Sequence, residues 1–123
     1  MKILRELKAG GVGVMSTAAK DGTVNGAVYA LPHRIDERTV AWGMTDRQTY
    51  RNVRENPHAF FTYVAPGPGY TGVRLSLRLR EVRESGEVLD RIRERTRESV
   101  GDAAAAAVKY AVFFTVVDER PLV

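Results

Sequence analysis

The chain has 123 residues, 44% of them hydrophobic and 28% charged, which fits one domain spanning 1–123 with a core of its own. It holds no cysteine and only two histidines, His33 and His58, which excludes disulfides and thiolate metal sites and leaves no metal centre to expect. A net charge of +4, carried mostly by arginine, favours anionic partners, phosphates first and nucleic acid second. No run approaches the roughly 18 apolar residues of a bilayer span. Arg5, Glu6 and Lys8 interrupt any signal-peptide core near the start, so the expectation is a cytoplasmic protein.

Residues 2–8 place Ile3, Leu4 and Leu7 at helical spacing, and Gly10-Gly11 end the run, predicting a short helix over one end of the fold. Residues 12–17, VGVMST, are apolar and mostly alternating and predict a first strand. Lys20-Asp21-Gly22 carries a hairpin signal, and a second strand follows over 24–31, stopped by Pro32. After a turn at 35–38, residues 39–44 predict a third strand, so that the three read as an antiparallel meander.

The stretch 45–57, TDRQTYRNVRENP, predicts a helix from Thr45 to Asn56. Thr45 and Gln48 stand in the relation of a capping box, and Asn56-Pro57 ends the helix. Arg47, Arg51 and Arg54 share one face. The start of this helix offers unpaired N–H groups, the positive end of a dipole, the hydroxyls of Thr45 and Thr49, the Gln48 amide and the Arg47 charge. Together these can cradle a phosphate. Capping boxes mostly only cap, so the position of this stretch within the whole chain matters.

Residues 59–64, AFFTYV, predict a strand, and the loop 65–72 is the part of the chain densest in glycine and proline. Residues 73–82 alternate with period two, turning Val73, Leu75, Leu77 and Leu79 to a core or a dimer contact and Arg74, Ser76, Arg78 and Arg80 to the other side. An amphipathic helix is predicted over 87–99, the alanines 103–107 extend it or begin another, and 110–117 form a last buried strand. Strands dominate, with one helix after the third strand and one before the last, which suggests a small closed barrel. Trp42, Met44 and Tyr50 read as packing residues, and His33 as a turn residue. Ser16 and Thr17 lack a His–carboxylate partner, so no hydrolase triad is expected.

The order of strand, Lys20-Asp21-Gly22 hairpin, strand, turn, strand, TDRQTYRNVRENP and AFFTYV resembles the FMN-binding split-barrel superfamily, the group of pyridoxamine 5′-phosphate oxidase. Asn52-Val53-Arg54-Glu55-Asn56-Pro57 fills that group's Asn-Leu-x-x-x-Pro pattern. Within the group the chain is most similar to the small FMN-binding proteins of sulphate-reducing bacteria. It shares with them Gly67-Pro68-Gly69, then Thr71-Gly72, and a late strand ending Thr115-Val116-Val117.

The resemblance implies a mostly β, six-stranded antiparallel Greek-key split barrel with short helices, homodimeric, with one FMN per subunit near the dimer interface. It implies that Gly26, Ala27 and Val28 run along the flavin. Met44, Thr45, Arg47, Gln48 and Thr49 surround its phosphate and ribityl chain. Thr71, Gly72 and Leu122 reach the ring, from the partner subunit in one arrangement. Gln48 stands where the group has a basic residue, so Arg47 or Arg51 must neutralise the phosphate. No side chain is marked as a catalytic acid or base. The function implied is electron or hydride transfer by FMN or a deazaflavin, as an electron carrier or a flavin-reductase-like oxidoreductase, with the redox partner or substrate left open. Two rival readings remain: a basic barrel binding nucleic acid through Arg74, Arg78 and Arg80, and a cofactor-free dimeric interaction module.

Overall fold

The computed structural model describes all residues, 1–123. In chain order the elements are α1 (Lys2–Glu6), β1 (Val12–Ala18), β2 (Val24–Val28), β3 (His33–Arg34), β4 (Thr39–Met44), α2 (Gln48–Glu55), β5 (His58–Val64), β6 (Gly72–Arg83), α3 (Glu87–Ser99), α4 (Asp102–Ala107) and β7 (Tyr110–Pro121). The strands form one antiparallel sheet of seven, ordered β2-β1-β5-β6-β7-β4-β3. Read from β4, the run β4-β7-β6-β5 is Greek-key-like, with α2 carrying the long return from β4 to β5.

Three expectations are corrected here. The sheet has seven strands rather than six, because His33 and Arg34 pair with Ala41 and Val40 where the sequence suggested only a turn. The sheet is not closed, since β2 and β3 remain free edges. The predicted meander does not form either. Only β1 and β2 pair as a hairpin, while the third predicted strand, β4, pairs with β7. The burial pattern of β4 gives the reason. Its residues are buried on both faces, between the barrel core and α3, and an edge position beside β2 offers no such double cover.

The β1–β2 turn is built as its residues dictate. Gly22 takes φ +92°, which an L side chain rarely adopts, and the Asp21 carboxylate accepts the Thr23 N–H at 3.0 Å. Strands β6 and β7 are long and meet with register shifts at Ser76/Leu77 and Leu79/Glu81; such bulges bend a sheet. The bend brings β4 back towards β5. The Trp42 and Phe61 rings lie 4.8 Å apart, and Trp42 meets Phe114 edge-on at 5.8 Å. Across the remaining split, the Trp42 indole N–H donates to the Ala30 carbonyl at 2.8 Å. One side chain thus fills the core and ties the free edge.

Met15, Val40, Phe61, Tyr63, Leu75 and Phe114 are fully enclosed in this core. Helix α1 plugs one end with Leu4, and the Glu119 carboxylate accepts the N–H groups of Ile3 and Leu4. A second cluster joins Leu89 and Ile92 of α3 to Ala41, Ala111 and Phe113. Gly43 allows this close approach, because a Cβ there would lie 2.6 Å from the Ile92 methyl and 2.8 Å from Val108. Gly43→Ala is therefore expected to destabilise the chain by about 1–3 kcal/mol through overpacking. A lowered denaturation midpoint checks this; an unchanged midpoint would show that α3 yields freely.

Candidate functional site

Helix α2 starts at Gln48, later than the predicted Thr45, and the capping box is not made. The Arg47 N–H instead turns back to the Thr45 carbonyl at 2.8 Å, while the Gln48 amide donates along the helix to Asn52 Oδ1 at 2.7 Å. Arg47 is the N-cap residue and makes no side-chain cap, so the first N–H groups of the helix have no internal acceptor. Asp46 and Arg51 pair at 3.3 Å, so the Arg51 guanidinium already has a counter-charge. Arg47 forms none of the ion pairs in the chain and is exposed at the helix mouth.

The inner face of α2 is polar where it meets β1 and β2. Thr49 and Asn52 are buried, with Val53 below them in the core. Asn52 Nδ2 donates to Thr17 Oγ1 at 3.1 Å, and Asn25 Nδ2 to Thr49 Oγ1 at 3.4 Å. Tyr29 joins the group beside Thr49 and Arg47. Burial pushes its phenol up, opposed by a hydrogen bond with Thr49 and by the Arg47 charge. No buried side-chain polar atom in the chain lacks a partner. The seam therefore fixes the helix start relative to the hairpin, with Thr49, Tyr29 and Arg47 converging at its mouth.

The structure distributes the eleven predicted residues unevenly. Thr45, Arg47, Gln48 and Thr49 surround the mouth of α2. Met44 does not bring its side chain there, being 1% exposed in the core; this is the packing role read from its strand, not the phosphate contact the resemblance implied. On β2 the side chains alternate. Ala27 shares the half-buried face of Asn25 and Tyr29, while Gly26 and Val28 face outward, so the three share no side-chain face and have only their edge-strand backbone in common.

Thr71, Gly72 and Leu122 lie at the opposite end of the sheet. Gly72 pairs with Val64, Val64 pairs with Val12, and Leu122 packs against Gly72. Thr17, beneath α2, is five residues further along β1, roughly 17 Å at strand rise. Within one chain these three residues do not meet the mouth.

Sequence reasoning missed Thr17, Asn25, Tyr29 and Asn52. Two signals were present: Thr49, Asn52 and Val53 share one helical face, and Asn25, Ala27 and Tyr29 one strand face. Tyr50 stacks flat on Tyr110 at 4.0 Å, the packing role read from sequence. The expected row of Arg74, Arg78 and Arg80 is broken, since Arg74 donates to the Pro121 carbonyl and Arg80 to Thr39 Oγ1.

Two other clefts stand out. One, about 520 Å³, opens on the outer sheet face among Ser16, Val24, Phe60, Ser76 and Val117. The other, about 370 Å³, lies between α1, β3 and α3 and includes His33. Burial first, then the charges of Arg95 and Arg91, push the His33 imidazole down from 6.5 to about 4. Between those two values the unfolded chain binds the proton and the folded chain does not. Stability is thus expected to fall as pH drops from 6.5 towards 4. His33→Asn should flatten that slope in denaturation at stepped pH; an unchanged slope would assign it to other groups.

No family model matches the sequence, and no curated protein matches it by sequence comparison. Solved structures do match. An FMN-binding protein from Syntrophomonas wolfei subsp. wolfei superposes with a TM-score of 0.83 at 21% identity, covering 99% of this chain and 82% of that one. An F420 reductase gives 0.74 at 15% identity, covering 98% and 97%. A pyridoxamine 5′-phosphate oxidase candidate from Listeria innocua gives 0.70 at 20% identity, covering 98% and 93%. The chain has the split-barrel fold of the pyridoxamine 5′-phosphate oxidase-like proteins, as the sequence resemblance implied. No helix is long and apolar enough to cross a membrane.

Proposed function

We propose that the chain is a flavin-binding domain that takes FMN and serves electron or hydride transfer. The observation that carries this reading is the mouth of α2. An unpaired Arg47, uncapped N–H groups and the inward Thr49 hydroxyl converge there, held by the seam to β1 and β2. These donors fit a phosphate dianion. Arg47 would neutralise the phosphate, Thr49 and Thr45 would orient it, and the edge of β2 would supply backbone groups to the cofactor. When bound, FMN supplies the redox chemistry. The chain contributes position and exclusion of water, and no residue is assigned as an acid or base.

The reading includes a homodimer. Val12, Val24, Val28 and Val117 are 58%, 80%, 78% and 56% exposed, and Phe60 is partly buried beside them, all on the outer surface of the sheet. A second copy covers such a patch isologously. A two-fold axis across the strands would set Thr71, Gly72 and Leu122 of the partner subunit near the α2 mouth. The leucine face of β6 is not part of this contact, since Val73, Leu75 and Leu77 are core residues.

The test is a visible spectrum of purified protein after desalting, before and after reconstitution with FMN, with mass spectrometry of the released chromophore. Retained FMN supports the reading, and a retained deazaflavin would redirect it to that cofactor. Protein that stays colourless and releases added FMN on desalting would overturn it.

A further inference from the structure

The cleft between α1, β3 and α3 is lined by four arginines, Arg5, Arg34, Arg91 and Arg95, together with His33, and by no carboxylate. The ion pairs of the chain engage Arg51, Arg83, Arg97 and Arg120, leaving these four free. No side-chain hydrogen bond occupies them either; the remaining arginine contacts are made by Arg38, Arg74, Arg80 and Arg93. Asp36 and Glu37 do not line this cleft but border an adjoining depression, which Arg5 and Arg34 also line. Asp36 is committed to its own turn, accepting the Arg38 N–H at 2.9 Å.

The rest of the wall is apolar. Leu4, Leu7, Leu31 and Pro32 line one part, and Ile35 and Val88 another. Arg91 and Arg95 stand four apart on α3, so both project along one helix face, with Val88 a turn before Arg91. Four unneutralised guanidiniums about one concavity repel one another and focus a positive potential within it. Each offers planar donors matched to an oxyanion. A volume of about 370 Å³ lies at the small end of ligand pockets, which excludes a large cofactor.

We propose that this cleft is a second binding site, taking an organic oxyanion, a carboxylate or phosphate group on a small apolar body. The guanidiniums hold the charged group and the leucines, Pro32 and Val88 the apolar body. None of the residues assigned to the flavin lines this cleft. Burial first, and then the charges of Arg95 and Arg91, hold the affinity of His33 for protons low, and a bound anion that offsets those charges should raise it.

The test uses the full chain, with phenyl phosphate and benzoate as probes and inorganic phosphate and benzyl alcohol as half-probes. Binding is read by calorimetry, and His33 by the pH titration of its imidazole NMR signal. The expected result is saturable binding of at least one full probe, tighter than that of either half-probe, with the His33 titration moved upward. Arg91→Gln with Arg95→Gln, both exposed positions, should weaken it at least tenfold while leaving FMN retention unchanged. Arg34→Gln is the second variant should that pair fail to fold. No saturable binding of either full probe, or binding unaffected by the arginine variants, would overturn the proposal. So would binding lost in Arg47→Ala, which would place the anion at α2, or binding matched by a half-probe.

Discussion

Arg47→Ala is expected to weaken FMN retention by about 10- to 100-fold while leaving the fold intact. Hydrogen bonds to charged groups contribute about 1.5–3 kcal/mol, and each 1.4 kcal/mol is tenfold in affinity. The side chain is exposed and forms no ion pair or side-chain hydrogen bond, so its removal costs little internal stabilisation. Arg51→Ala is the informative companion. Its guanidinium is already held by the Asp46 carboxylate and carbonyl, so the expected effect on FMN is several-fold smaller. Thr49→Ala should also weaken binding, with some loss of stability from the Asn25 contact. Equilibrium dialysis of FMN against the three variants separates these cases. Wild-type affinity in both Arg47→Ala and Thr49→Ala would mean that the phosphate lies elsewhere.

Leu77→Asp is expected to leave no folded protein, whereas Val28→Asp should yield a folded monomer. Leu77 is 2% exposed in the barrel core, and an unpaired carboxylate there costs several kcal/mol beyond the lost packing. Against a total stability of about 5–15 kcal/mol, that is enough to unfold the chain. Val28 is 78% exposed, so a charge there costs nothing within one subunit and matters only if a second copy covers it. Circular dichroism and elution volume distinguish the two outcomes. A Val28→Asp protein that still elutes as a dimer would move the interface off the outer sheet face. A folded Leu77→Asp protein would contradict the inward register of β6.

The Leu77 result also shows where sequence reading reached its limit. Period-two alternation in 73–79 separated the two faces of β6 correctly, yet left open whether the leucine face meets the core or a partner. That depends on what lies above each face, and the arginine-bearing side turned out to be the outer one. Similarly, the apolar run 39–44 marked a strand with the right bounds but not its neighbours. Pairing β4 with β7 joins residues about 70 positions apart, a contact that no local pattern records.

At the candidate site the same division holds. Thr45, Arg47, Gln48 and Thr49 were legible because they are adjacent in sequence and precede a helix. Asn25 and Tyr29 were not, since they reach Thr49 only through the packing of the β1–β2 hairpin under α2. That Arg51 is paired and Arg47 is not was likewise invisible in sequence, since it rests on the Asp46 contact.

The sequence by itself determined the element types apart from β3, the Asp21-Gly22 hairpin, the helix-borne group of donors after β4 and the split-barrel resemblance. Each rests on neighbours within a few residues or on a linear order of motifs. Tertiary structure alone decided the strand order, the placing of Leu77 in the core rather than at a partner, the unpaired state of Arg47 and the gathering of Arg5, Arg34, Arg91 and Arg95 around one cleft. Those properties arise when distant segments compete for the same core and the same counter-charges, and folding resolves that competition all at once.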